Sequence, residues 1–269
     1  MSDHGGVRMY YGSAAYSSHK ALRQGEEPHV MISAHTKARD WLWDIPELFV
    51  DSGGYSLMLS TGDHPEPDAY LDTVVEMDGD LCALQDYPCE PEILREYGRT
   101  VRDHQARTTE RAAECLAVIQ DRGLDVEPVT VVQGWEPDDY LNHVDRLAEQ
   151  GCLTDHVAIG SVCRRGQTDE IREIITAVRG ALPKGTHLHA FGVKYEVLQY
   201  ADVRDAVDSV DSAAWEIYPN QGGRLETEPA WRTKLMRYLE YWRKVESLTS
   251  GTKIDAAKME NQHELTQFQ

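Results

Sequence analysis

The chain has 269 residues, 41% of them hydrophobic, and a formal net charge of −19 at pH 7. This composition excludes a disordered chain, and the length allows one large domain or two small ones, each with a sizeable core. The acidity argues against nucleic-acid binding over a broad cationic surface, so any such site has to be a local arginine patch.

Membrane and secretory classes are also excluded. The sequence has no apolar run of about 18 residues, and its N-terminus lacks the apolar region of a signal peptide. The five cysteines are odd in number and scattered, without a C-x-x-C pair, which is typical of reduced thiols. We therefore expect a cytoplasmic protein with no membrane partner, located in the host cytoplasm if a virus encodes it.

Eight short apolar runs, each followed by a polar or glycine-containing turn, predict eight strands. In chain order they span 7–11, 29–33, 47–50, 80–85, 129–133, 156–160, 187–192 and 209–215. Helical patterns occupy 92–122, 137–150, 168–181 and 195–207, and an aromatic-rich helix follows at 230–248.

This alternation of strands and helices predicts an α/β fold, the (β/α)8 TIM barrel, with a C-terminal helix. An open doubly wound sheet is disfavoured because no strand is followed by a glycine-rich phosphate-binding motif. We expect residues 1–248 to form a single barrel domain and residues 249–269 to form a polar, frayed tail.

The predicted strands end in acids, an amide and glycines. Catalytic residues of such barrels lie at the carboxyl ends of the strands. A single acid there is often only the N-cap of the next helix, but several coincident polar ends indicate a site. These ends are Asp51-Ser52-Gly53-Gly54, Asp86, Gln133-Gly134, Gly160-Ser161, Gly192 with Lys194, and Asp211.

Five of these segments carry a resemblance to a known family. They read DSGGY (51–55), VVQGW (131–135), HVAIGS (156–161), HAFGVK (189–194) and VDSAAW (210–215). Their order and approximate spacing resemble those of the queuine and archaeosine tRNA-guanine transglycosylases between about residues 29 and 224. The resemblance is stronger to the phage and bacterial proteins that insert 7-deazaguanines into DNA. It implies a transglycosylase that replaces guanine in DNA with a preQ0- or preQ1-type base through a covalent aspartyl-ribosyl intermediate.

The resemblance also implies a role for individual residues. Asp211 matches the nucleophile that attacks C1′ of the target guanosine, and Asp51 matches the acid that transfers a proton during exchange. Asp86 matches the carboxylate that reads the guanine edge, and Gln133 matches the side chain that hydrogen-bonds the base carbonyl. Gly134 and Gly160 are expected to let the backbone approach the purine. The other base-pocket candidates are Ser52, Gly53, Tyr55 and Val193.

Elementary chemistry supports this division of labour. A free aspartate is ionised at neutral pH, so a carboxylate nucleophile needs no activation. Two carboxylates about 5 Å apart repel each other by roughly 3 kcal/mol at an effective dielectric constant near 20. Such repulsion raises one pKa by about two units, which suits an acid that protonates a departing guanine.

The sequence departs from the tRNA enzymes at their zinc motif. Those enzymes carry C-x-C-x-x-C and a distant histidine after the nucleophile strand, whereas the last cysteine of this chain is Cys163. We therefore expect no zinc cofactor and favour DNA over tRNA, since the RNA-binding extension of the archaeal enzymes is not found either. Cys163, His187 and His189 form a less favoured alternative metal site.

The expected partners are DNA, with tRNA as the alternative, and a 7-deazaguanine base. Contacts to phosphates beside an extruded nucleotide are predicted for Arg164, Arg165, Lys194 and Arg224. Helper proteins and the oligomeric state stay open. Other hypotheses are a zinc-less tRNA-guanine transglycosylase and a non-catalytic base-binding subunit. A sugar hydrolase is disfavoured because the amide and glycines suit a planar base.

Overall fold

A computed structural model describes residues 6–37, 42, 44–217 and 229–249. Within them, eight parallel strands form a closed barrel in which each strand pairs with the next and the eighth pairs with the first. The strands are β1 (Arg8–Gly12), β2 (His29–Ser33), β3 (Glu47–Asp51), β4 (Leu81–Ala83), β5 (Glu127–Val132), β6 (His156–Ile159), β7 (His187–Ala190) and β8 (Ser209–Ser212). The predicted (β/α)8 fold is confirmed.

Helices cover the outside of the barrel. The α-helices of the described ranges are α1 (Tyr16–Gln24), α2 (Gly54–Ser60), α3 (Pro67–Glu76), α4 (Pro91–Tyr97), α5 (Val101–Arg122), α6 (Pro137–Glu149), α7 (Thr168–Ala181), α8 (Ala201–Ala206) and α9 (Ala230–Thr249). Short 3-10 helices occupy Val197–Gln199 and Ala214–Ile217. The last predicted strand was therefore too long, since its C-terminal part forms the second 3-10 helix.

The predicted helix over 92–122 is in fact two helices. Gly98 ends α4 in the left-handed conformation, with φ of 58°, which breaks the helix geometry. Thr100 then caps α5, because its side chain accepts the amide of Asp103 while the Asp103 side chain accepts the amide of Thr100. The capping box starts α5 as a new helix.

Two apolar layers hold the barrel together. Alternate residues of each strand face inward. The interior cluster consists of Tyr10, Met31, Phe49, Ala83, Val129, Val131 and Ala158. The opposite face of the strands packs against the helices in a much larger cluster that includes Val50, Val132 and Leu188. The inward alternation continues to the strand ends and so determines which side chains reach the mouth.

The last helix closes the barrel beside its first strand. Helix α9 packs against α1, and the Tyr238 ring of α9 lies 5.0 Å from the Tyr11 ring of β1. Trp215 donates its indole N–H to the Gly12 carbonyl at 2.8 Å. The polar segment 250–269 lies outside the described residues. None of the helices in the described part of the chain has the length and apolarity needed to cross a membrane.

Candidate active site

A cavity of about 210 Å³ opens at the carboxyl ends of the strands. It is smaller than the roughly 300–1,000 Å³ of sites for drug-sized molecules, so it suits a single flat heterocycle. Its walls include Met31, Asp51, Gly53, Gly54, Tyr55, Ser56, Asp86, Pro88, Glu90, Gln133, Gly160, Ser161, Cys163, Phe191, Gly192 and Asp211. The three predicted acids therefore share one cavity.

The barrel geometry brings the acids together. Asp51 is the last residue of β3, and Asp211 is the third residue of β8. Asp86 lies three residues beyond β4, in the loop that leads to α4. Three separate strand ends thus deliver one carboxyl group each to the same mouth.

Asp211 is anchored through one oxygen. The backbone N–H of Gly192 donates to Oδ1 at 2.7 Å, and Nε2 of His189 lies 3.2 Å from the same oxygen. Gly192 has φ of 59°, and a Cβ there would lie 2.4 Å from the Cβ of Cys163, so only glycine fits. Within the described part of the chain, no hydrogen bond is made to Oδ2, which leaves that oxygen available to a ligand.

Asp51 has the most perturbed acid–base equilibrium of the three acids. Its pKa is raised from an ordinary value of 3.8 to about 7. The first cause is burial, followed by the charges of Asp86 and then Asp211. Hydrogen bonds from the amides of Gly53 and Ser52 oppose the shift. The direction agrees with the sequence argument, but burial contributes more than carboxylate repulsion does.

Both oxygens of Asp86 accept hydrogen bonds from the protein. Ser52 donates its hydroxyl to Oδ1 at 2.7 Å, and Gln133 donates its side-chain amide to Oδ2 at 2.5 Å. Nε2 of His64 lies 2.7 Å from the Asp86 carbonyl oxygen. These contacts fix the Asp86 carboxylate against the cavity wall, and Ser52 acts as its support because it is fully buried.

Ser161 and Glu90, to which the sequence analysis assigned no role, extend this network. The Ser161 hydroxyl lies 2.7 Å from Oε1 of Gln133 and 2.8 Å from Oε2 of Glu90, and it accepts the Cys89 amide at 2.8 Å. Burial raises the pKa of the Glu90 carboxyl. A protonated Glu90 completes the pattern, since Ser161 then accepts from Glu90 and Cys89 and donates to Gln133.

The glycines have different roles from those expected. A Cβ on Gly160 would lie 2.3 Å from the Gln133 amide nitrogen, so this glycine makes room for Gln133 in the cavity wall. A Cβ on Gly134 would instead meet Tyr140 of α6 at 2.8 Å. Gly134 is not among the cavity-lining residues, and its contact with Tyr140 accounts for a glycine at this position.

Some of the remaining base-pocket candidates line the cavity and others do not. Tyr55 and Gly53 line the cavity, and Gly53 is the N-cap of α2, with φ of 73°. Val193 does not line it, because its side chain is buried in the outer core. Phe191, two residues earlier and on the inward face, lines the cavity instead.

Of the three predicted phosphate-binding cations that lie in the described ranges, only Arg164 is well exposed. The Arg164 side chain is 54% exposed and its guanidinium lies 4.5 Å from the Tyr55 ring centroid, at the mouth. Arg165 is buried over the Trp135 ring and bonds to backbone carbonyls, so it is not placed to meet a phosphate. Lys194 donates to the Arg165 carbonyl at 2.6 Å. Arg224 lies outside the described residues.

The alternative metal site is not assembled. Nε2 of His187 and Nδ1 of His189 both lie 2.9 Å from the Ser209 hydroxyl, and Nε2 of His189 faces Asp211. Within the described ranges, no group of three or more potential ligands could hold a metal, which includes Cys163 with these histidines. Both histidines instead belong to a hydrogen-bonded chain inside the barrel.

Two curated proteins are similar to this chain. The tRNA-guanine(15) transglycosylase of Methanococcus maripaludis strain S2 is 25% identical over 219 residues, which cover 79% of this chain and 33% of the relative. The protein of the same name from strain C5 is 25% identical over 207 residues, which cover 75% of this chain and 31% of the relative. The chain spans about a third of the length of these relatives.

A family match covers a similar share of the sequence. Residues 34–252 match the family DpdA, described as DeoxyPurine in DNA protein A. This range contains the six strands from β3 to β8, and it includes every acid of the cavity. The chain therefore belongs to the DpdA family.

Proposed function

We propose that this chain is a transglycosylase that removes guanine from DNA and inserts a 7-deazaguanine of the preQ0 or preQ1 type. The observation that carries the proposal is the convergence of Asp51, Asp86 and Asp211 on one cavity the size of a heterocycle. The names of the curated relatives support guanine exchange as the reaction. The family description supports DNA as the polymer.

The first half-reaction forms a covalent intermediate. Oδ2 of Asp211 attacks C1′ of the target nucleoside, and the bond from C1′ to the guanine nitrogen breaks. Guanine leaves with the bonding electron pair and accepts the proton of Asp51. The product is an ester between Asp211 and the sugar, as in retaining glycosidases.

The second half-reaction reverses these events with a different base. The ring nitrogen of the incoming base attacks C1′, and the bond between C1′ and Oδ2 breaks with its electron pair returning to Asp211. Asp51, now ionised, takes the proton from that nitrogen. A pKa of about 7 suits both duties, because the acid is then neither always protonated nor always ionised at neutral pH.

Recognition of the base falls to the Asp86 network. Each oxygen of an ionised carboxylate has two acceptor sites, so Asp86 can hold Ser52 and Gln133 and still accept N–H groups of a guanine edge. Gln133 is held in place by Ser161. We propose that this pair selects guanine-like bases, and that the reaction needs no zinc, since no cysteine follows Cys163.

Incorporation of radiolabelled guanine tests the proposal. The purified protein is incubated with labelled guanine and, separately, duplex DNA, single-stranded DNA and tRNA. We expect label to enter DNA, with Asp211→Asn abolishing incorporation. Asp205→Asn is the matched control, because Asp205 is an exposed acid on α8, and it should keep full activity.

The other outcomes distinguish the competing functions. Label that enters tRNA alone would identify a tRNA enzyme and contradict the DNA proposal. Tight binding of either nucleic acid without incorporation by the wild type would indicate a non-catalytic subunit. Incorporation that survives Asp211→Asn would contradict the assignment of the nucleophile.

A further inference from the structure

A hydrogen-bonded chain runs through the barrel interior behind Asp211. Nε2 of His189 lies 3.2 Å from Oδ1 of Asp211, and Nδ1 of the same ring lies 2.9 Å from the Ser209 hydroxyl. That hydroxyl lies 2.9 Å from Nε2 of His187. The hydrogen-bonded chain thus joins β7 and β8 and ends on Oδ1 of Asp211, the oxygen that also accepts the Gly192 amide.

The direction of the hydrogen bonds can be worked out from the acceptor at the end. An ionised carboxylate oxygen only accepts, so Nε2 of His189 carries the hydrogen and donates to Asp211. Burial lowers the pKa of His187 to about 4, so this ring is neutral at pH 7. When His187 donates to Ser209, the Ser209 hydroxyl donates to Nδ1 of His189, and every member of the chain has a matched partner.

The surroundings hold the His189 ring in one orientation. His189 is almost completely buried, and the rings of Tyr10, Phe49 and Phe191 meet it edge-on, with centroids 4.9–5.9 Å away. Since both ring nitrogens are engaged, rotation of the ring would break two buried hydrogen bonds. The Nε2–H donor is therefore preorganised toward Asp211.

We infer that His189 is a positioning residue that holds Asp211 through Oδ1 and assists the breakdown of the covalent intermediate. The inference rests on the proposed function. When the ester forms, Oδ1 becomes a neutral carbonyl oxygen, and when the ester breaks, negative charge returns to the carboxylate. A fixed donor bonds the charged form more strongly, so it stabilises Asp211 as the leaving group.

The hydrogen-bonded chain therefore favours base exchange over accumulation of the covalent adduct. The Gly192 amide donates to the same oxygen and shares this role. Together the two donors occupy Oδ1 and leave Oδ2 as the attacking atom. They also favour breakdown of the adduct to the free enzyme. Loss of the His189 donor should lengthen the lifetime of the adduct without abolishing its formation. If His189 only stabilised the fold, its loss would not lengthen that lifetime.

The test follows the covalent adduct directly. The enzyme is incubated with the nucleic acid that it labels, denatured, and assayed for protein joined to nucleic acid; a chase with guanine then measures breakdown. We expect His189→Leu to accumulate adduct and to slow breakdown by roughly tenfold to a hundredfold, the range of a hydrogen bond to a charged group. His189→Gln, whose amide can reach Asp211, should restore fast breakdown.

A matched control and a second pair of variants keep the test decisive. Asp205→Asn, the exposed acid of α8 that also serves as the control for incorporation, should leave breakdown unchanged. If His189→Leu does not fold, His189→Asn is compared with His189→Gln, because the shorter amide stops short of Asp211. Equal rates of adduct breakdown in all folded His189 variants and the wild type would overturn this inference but not the proposed function. No adduct and no incorporation in the wild type would instead refute the proposed function and the inference with it.

Discussion

Three acids share one small cavity, yet each has a different environment. Asp211 accepts a backbone N–H and faces a histidine, whereas Asp86 accepts a hydroxyl and an amide. Asp51 has no such side-chain donors in the described part of the chain, and burial raises its pKa to about 7. Environments of this kind can separate the roles that we propose for these identical side chains, namely nucleophile, base reader and proton carrier.

The shifted pKa of Asp51 predicts a pH dependence of adduct formation. In the proposed mechanism the first half-reaction uses protonated Asp51, so the rate of adduct formation should fall as the pH rises through about 7. Asp51→Asn should lower that rate by roughly a hundredfold to ten-thousandfold and remove this dependence. Single-turnover kinetics between pH 5.5 and 8.5 would check both effects, and an unchanged alkaline limb in Asp51→Asn would contradict the assignment.

The same shift has a consequence for stability. The folded protein holds a proton on Asp51 that the unfolded chain, with an ordinary pKa of 3.8, releases as the pH rises from about 4 to about 7. Folding stability contributed by this group therefore decreases over that window. Relative to the wild type, Asp51→Asn should gain roughly 2 kcal/mol in unfolding free energy between pH 5 and pH 8. Urea denaturation at the two pH values measures the difference; a pH-independent gain would contradict it.

Glu90 offers a prediction about the base-binding network. If Glu90 is protonated and donates to Ser161, the neutral isostere Glu90→Gln should keep the guanine KM within about threefold of the wild type. Glu90→Ala leaves Ser161 without this partner and should raise the KM by roughly tenfold, the effect of about 1–2 kcal/mol. Steady-state incorporation against guanine concentration separates these cases. A large KM increase in Glu90→Gln would show that an ionised Glu90 is needed.

At the scale of elements, the sequence was sufficient to predict the strands and most of the later helices. Helix α7 has the predicted bounds, because its apolar residues recur at helical spacing over four turns. Helices α1 and α2 were not predicted, since they are short and follow directly on strand-end loops. Helix α3 carried an unused signal in Pro67 at its first position, followed by Asp68 in the first turn.

The site was predictable where a strand end carries a chemically distinctive residue. Asp51, Asp86, Gln133 and Asp211 all reach the cavity. What the sequence could not give are the contacts between distant segments, such as Glu90 with Ser161, which are 71 residues apart. The sequence also does not show how the inward and outward alternation of side chains continues beyond the end of a strand. Val193 was therefore predicted to line the base pocket instead of an inward-facing residue.

The break between α4 and α5 can be tested by removing its cap. Thr100→Ala deletes the side chain that accepts the Asp103 amide, and loss of such a cap costs about 1 kcal/mol. Guanine incorporation should not change, because Thr100 does not line the cavity. Denaturant unfolding measures the loss, and Thr73→Ala, at a half-buried position on α3, serves as a comparison outside any cap. A difference below about 0.3 kcal/mol between the two variants would show that the capping box does not define the start of α5.

At the scale of the whole molecule, a net charge of −19 has to be reconciled with the polyanionic substrate that we propose. The acidic surface repels nucleic acid over a Debye length of about 8 Å at physiological salt, so binding depends on short-range contacts. The cavity mouth itself contributes carboxyl groups. Burial raises the pKa of Asp51 to about 7, so that this carboxyl group is protonated in part at neutral pH, and burial also raises the pKa of Glu90. The mouth is therefore less negative than its composition suggests.

Arg164 is the cation whose removal tests this picture. Its side chain is half exposed at the rim, beside Tyr55, and its partner Glu92 lies at the long separation of 3.8 Å. Arg164→Ala should weaken DNA binding to a similar extent for all sequences, and it should reduce the slope of log K against log salt by about 1, as expected for one phosphate contact. Arg23→Ala, in the last turn of α1 and thus toward the opposite end of the barrel, is the matched control. Titrations at several salt concentrations distinguish the variants, and an equal slope in both would exclude Arg164 from the nucleic-acid contact.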